Sequence, residues 1–129
     1  LKRGQQHLVL QIGGTMSAIH DQLAQGLGCA SDIFGVSQAS ILSNCRPEHV
    51  LKARFTVYAW LRYCGHPHTA IMRAMQKKHH GAILSGLSTL RCWFETLPSM
   101  RAKVYEFTKA MGIELNQFVT TVWPTKKTS

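Results

Sequence analysis

Acid is scarce in this chain. Of 129 residues only six are Asp or Glu, against fifteen Lys and Arg, which leaves a formal net charge of +9 with His neutral. Asp21, Asp32, Glu48, Glu95, Glu106 and Glu114 form no local pair, so the clustered carboxylates of a metal-dependent nuclease or a general acid/base centre are missing. No Gly-x-Ser-x-Gly elbow and no convincing Cys/His pair offers a nucleophile. No Gly-x-x-x-x-Gly-Lys-Ser/Thr run could cradle a nucleotide. The expectation is a protein that is not an enzyme, with no cofactor and no small-molecule substrate. There is also no run of about 18 apolar residues, so no membrane span, and no basic, apolar and small-residue succession of an export signal. The four cysteines, Cys29, Cys45, Cys64 and Cys92, lie far apart and need not form a disulfide scaffold. Reduced, mostly buried thiols in a cytoplasmic protein are expected.

What is present is enough for one domain. An apolar content of 45% over this length suits a single globular core. Residues 1–16, broken at Gly13-Gly14, read as an N-terminal extension, 17–123 as the domain and 124–129 as a frayed tail; Leu1 in place of Met reads as a fragment or a trimmed start. The charge is uneven. Residues 46–91 hold Arg46, Lys52, Arg54, Arg62, Arg73, Lys77, Lys78 and Arg91 against Glu48 alone. A local charge of about +7 favours phosphate backbones or acidic partners.

Almost every periodic signal is helical, and the fold class expected is all-α, a small bundle of about five to seven helices. One helix is expected over residues 17–33 through Ile19, Leu23 and Leu27, weakened by Gly26 and Gly28. A short one over 37–43 is opened by Ser37 as N-cap. The longest starts at Pro47, carries Val50, Val57, Leu61 and Cys64 inward and stops at Gly65. Helices over 67–75, 79–97, 98–111 and 114–122 follow, although Val119 to Val122 also carries a weak strand-like alternation, as does Leu8-Val9-Leu10.

The pair 67–75 and 79–97, joined by a basic turn at 76–78, carries the functional signal. Ile83, Leu87, Leu90 and Phe94 form an inward stripe at 4, 3, 4 spacing, while Gly81, Ser85, Ser88 and Cys92 repeat that spacing on the opposite side. A small neutral face lets a helix axis approach another surface closely: a DNA major groove, or a neighbouring helix of the same bundle. Lys77 and Lys78 are expected to hold phosphates, as are Lys52, Arg54, Arg62 and Arg73 where the bundle presents them; Arg91, Arg101 and Lys103 read as solvated faces. His79, His80 and Ser85 could hydrogen-bond base edges, though one histidine could instead cap its helix.

These residues resemble a known family. The order Phe34-Gly35-Val36, Ile41-Leu42-Ser43, then Arg46 and Lys52-Ala53-Arg54 in a long helix, then Ile71 and Lys78-His79-His80-Gly81-Ala82-Ile83-Leu84, is similar to the C-terminal DNA-binding domain of the bacterial replication initiator DnaA over roughly residues 20–110. The resemblance implies an all-helical domain with a helix-turn-helix related to that of the tryptophan repressor. The family's Gly-Arg-Asp-His-Thr-Thr-Val-like run falls on residues 77–83, where the histidine, one basic residue and the apolar position agree. The resemblance gives His80 a base-reading role and makes Lys52 and Arg54 counterparts of two DNA-contacting arginines. His79, Gly81 and Ala82 depart from the pattern, so altered or modest sequence specificity is expected. The implied partner is double-stranded DNA, in replication or transcription control of a phage or bacterial kind, with the chain acting alone, as a homodimer or within a longer multidomain parent, at the nucleoid.

Two rival readings remain. Cys64, His66 and His68 within five residues could ligate zinc, although Cys-x-His-x-His fits no structural zinc spacing; no metal is the reading preferred. A helical interaction domain that binds an acidic partner protein through the same basic face is the alternative function. Trp60, Tyr58 and Trp93 read as buried, which disfavours a single-stranded stacking platform. His66, His68, His79 and His80 would add charge below about pH 6.5 and tighten binding to a polyanion.

Overall fold

The computed structural model describes residues 16–124, and among these it contains seven helices and no strand. They are α1 (Met16–Phe34), α2 (Gln38–Leu42), α3 (Glu48–Tyr63), α4 (His68–Ala74), α5 (His80–Thr96), α6 (Pro98–Met111) and α7 (Leu115–Val122). The all-α bundle expected from periodicity is what forms. The supposed extension before residue 16, its weak alternation at 8–10 and the tail from 125 lie outside the described residues. No described helix is long and apolar enough to cross a membrane.

The centre of the bundle is α3. From Ala53 to Leu61 every residue except Phe55 is buried, so this helix is enclosed on all sides rather than along one stripe. Close approach on two flanks depends on glycine. A Cβ at Gly26 of α1 would come within 2.5 Å of the Trp60 indole, and one at Gly86 of α5 within 2.8 Å of both Phe55 and Tyr58. Gly26 therefore does not mark a weak point of α1; it is where α1 seats on α3. Trp60 also donates its indole N–H to the Gln22 carbonyl at 2.7 Å, and the Gln22 side-chain oxygen lies 2.6 Å from Nε2 of His66. Gln22 is 3% exposed and both of its oxygens are used, so its burial carries no unsatisfied acceptor.

Beneath the far end of α3 the rings of Tyr63, Phe107 and Phe118 meet at centroid distances of 5.5 and 6.4 Å, bringing in α6 and α7. Full burial of each phenylalanine stabilises by roughly 1.5–3 kcal/mol. The strand-like alternation at 119–122 is overridden here. Glu114 accepts from the Gln117 N–H at 3.2 Å as an N-cap, and Phe118 and Val122, one turn apart, both face the core.

The helix boundaries follow local chemistry. Ser37 caps α2 by accepting from Ser40 N–H, Pro98 opens α6, and α1, α3 and α6 run out through glycines with positive φ at Gly35, Gly65 and Gly112. Lys103 reaches from α6 to the Ile33 carbonyl of α1 at 2.9 Å, and Arg101 to the Phe94 carbonyl of α5 at 2.8 Å. Lys103, expected as solvated charge, is half-buried on the Ile33 carbonyl, whereas Arg101 stays exposed as expected while it bonds; both sit at helix ends where a cation is favoured by the helix dipole.

Candidate nucleic-acid interface

Helices α4 and α5 pack on one another across the link 75–79. Ile71 of the first, Met75 at its C-cap, and Ile83, Leu87 and Leu90 of the second are buried. The α4 end turns through a left-handed residue, with Gln76 N–H donating to the Arg73 carbonyl at 3.1 Å and Lys77 N–H to the Met72 carbonyl at 2.9 Å. This is the bonding that glycine usually serves. Here it is served by Gln76, at φ 61°, the one non-glycine residue with positive φ among those described. Holding an L-residue there costs roughly 1–2 kcal/mol.

The outward face of α5 is open. Gly81, Ala82, Ser85, Ser88 and Cys92 are all exposed, a Cβ at Gly81 would meet nothing within 4 Å, and Leu84 in their midst is 44% exposed. Among the described residues no neighbouring helix covers this face; the helix packing falls to Gly86, which lies on the other side. At the start of α5, His79 is the N-cap but makes no side-chain cap bond, and the first turn holds no acid. A first turn that no side chain caps thus sits beside Lys78, His79 and His80, all exposed.

The cations expected at this site divide into two groups. Arg54 is 5% exposed, and its guanidinium donates to the Ile41 carbonyl at 2.7 Å and the Ser40 carbonyl at 3.1 Å, closing the end of α2. Burial pulls its pKa below the usual arginine range. A side chain so placed is not presented to any ligand. Lys77 does related work from the other side: its ammonium lies 2.9 Å from the Ser43 carbonyl, 3.1 Å from Asn44 Oδ1 and 3.4 Å from the Leu42 carbonyl. Lys52 pairs with Glu48 at 3.2 Å and lies 5.7 Å over the Trp93 ring. Arg62 donates to the His66 carbonyl at 3.0 Å. Arg73 and Lys78, by contrast, are exposed, and no hydrogen bond or ion pair holds them among the described residues. Exposed Arg46 belongs with them; its charge lies near enough to Arg54 to depress it further.

The two histidines of the α3–α4 link are not equivalent. Burial lowers the pKa of His66, already bound to Gln22. His68 is lowered first by burial and then by the charges of Arg62, at the end of α3, and His80, at the start of α5. Cys64 is buried enough that its thiol is pushed up to about 12, and no three His, Cys, Asp or Glu side chains gather to hold a metal among the described residues. The zinc reading of Cys64, His66 and His68 has no assembled site.

No family model, curated protein or solved structure matches this chain. The character of the surface rests on its own residues. Arg73 on α4, Lys78 and His79 in the link, and His80 and Ser85 on α5 all reach solvent, joined by two to which the sequence assigned no contact, Gln76 and Leu84. The left-handed turn at Gln76 left no signal, since the end of α4 carries no glycine. Leu84 follows from the spacing, one residue beyond the buried Ile83. Tyr58 and Trp60, each 2% exposed, are core residues, so they offer no platform for unpaired bases.

Proposed function

We propose that this protein binds double-stranded DNA, with α5 laid in the major groove and α4 and the turn 75–79 against the flanking backbone, in replication or transcription control. The single observation that carries the reading is the exposed small face of α5, begun by an uncapped, acid-free first turn beside Lys78, His79 and His80. A groove wide enough for one helix accepts such a face, and phosphates favour such an end. His79, His80 and Ser85 offer single hydrogen bonds rather than the bidentate geometry that discriminates strongly, so specificity is modest. The resemblance to the initiator's DNA-binding domain supports the same docking direction.

Fluorescence anisotropy with random duplex DNA over a salt series tests this. With Arg46, Arg73 and Lys78 as the available phosphate contacts, the log–log slope is about −3, where contact by all eight basic residues of 46–91 would give about −7. Absence of binding at low salt sinks the DNA reading. Leu84, large, apolar and 44% exposed at the middle of the face, favours the second reading, a protein partner with an acidic rim and an apolar centre.

A further inference from the structure

The helix ends of this bundle contain one exception. Where α1, α3 and α6 turn left-handed they use Gly35, Gly65 and Gly112, which adopt positive φ without strain. Where α4 turns, at the mouth of the candidate interface, the chain uses Gln76. Nothing in the fold explains the side chain. Gln76 is exposed, its backbone N–H makes the turn bond to Arg73, and among the described residues no hydrogen bond reaches its carboxamide. Glycine would make the same backbone bonds with less strain. A strained residue with an unused polar group, next to exposed Lys78 and His79 and one position before the anchored Lys77, marks a place where local stability has been given up for contact.

We propose that Gln76 is a DNA-contacting residue, its carboxamide N–H donating to a backbone phosphate at the edge of the groove that α5 enters. This rests on the DNA reading above. Lys77 fixes the turn by its hold on the Ser43 and Leu42 carbonyls, so the neighbouring carboxamide is carried on a rigid support. A phosphate oxygen needs only a donor at hydrogen-bond distance, which a neutral amide supplies without releasing counterions of its own.

Two variants measured side by side test it, with random duplex DNA as the probe. Gln76→Gly relieves the strain and deletes the amide; Gln76→Ala deletes the amide and keeps the strain. Gln76→Gly is expected to raise Tm by about 4 °C and Gln76→Ala to leave it nearly unchanged, while both weaken duplex binding by about fivefold, the scale of one hydrogen bond, with the salt slope unaltered. If both variants bind as tightly as the parent, Gln76 has no contact and the proposal is overturned while the DNA reading stands. If only Gln76→Gly weakens binding, the turn's rigidity is responsible and the proposal is again overturned. If the parent itself does not bind, the DNA reading falls and this contact with it.

Discussion

Arg54, Lys77 and Lys78 are alike in composition and differ in what surrounds them. Arg54 gives two charge-assisted hydrogen bonds to carbonyls that end α2, with almost no solvent access. Arg54→Ala leaves those carbonyls and a buried hole behind, so stability falls by about 3 kcal/mol in urea unfolding, while the folded fraction binds duplex DNA as the parent does. Lys77→Ala removes three ammonium contacts in a partly solvated place and lowers stability by about 1 kcal/mol. Lys78→Ala changes stability by less than about 0.5 kcal/mol and weakens duplex binding, with a salt slope shallower by about one. A Lys78→Ala variant that binds normally would remove this residue from the interface.

At the scale of elements, the two glycines of α5 separate packing from exposure. Gly86→Ala drives a methyl group into Phe55 and Tyr58 and costs roughly 1–3 kcal/mol, whereas Gly81→Ala, in open space in the first turn, stabilises by about 0.5 kcal/mol; thermal unfolding of both reads the difference. These elements were legible in the sequence because their signals are local. Ser37, Pro98, Gly65 and Gly112 act on backbone within a few residues of themselves, and the 4, 3, 4 spacing of Ile83, Leu87, Leu90 and Phe94 fixed which side of α5 faces inward. The candidate site was legible in outline for the same reason. The roles of Arg54, Lys77, Arg101 and Lys103 were not, because a cation on a helix looks the same in sequence whether it meets water or another helix's carbonyls. Gly26 and Gly86 were illegible as contacts for the same cause: the rings they admit lie on α3, more than twenty residues away.

For the whole molecule, acid pulls two properties in opposite directions. The histidines His66 and His68 sit below the ordinary imidazole range in the folded chain, chiefly through burial. The unfolded chain therefore takes up protons first: stability is full above about pH 6.5 and is lost as pH falls from there through the folded values. A phosphate placed near Arg62, His68 and His80 favours the protonated His68, so duplex binding takes up protons and tightens over the same interval. Tm should drop while affinity rises as pH falls from about 6.5 to about 5. A pH-independent Kd would separate His68 from the bound phosphate.

One feature of the helix ends sets how finely the protein can be divided. Lys103 and Arg101 of α6 hold the last carbonyls of α1 and α5, and Lys77, just before α5, holds those after α2. Helices α1, α2 and α5 thus have their ends held from other parts of the chain, over separations of 70 residues for α1 and 34 for α2. A chain cut after Leu97 would lose the partners of α1 and α5 together, besides Val104, Phe107 and Phe118 from the core. The expected outcome is that the seven helices unfold together, with one transition in urea and amide exchange of α5 governed by global opening; separate transitions for α5 and α6 would show instead that these contacts do not couple them.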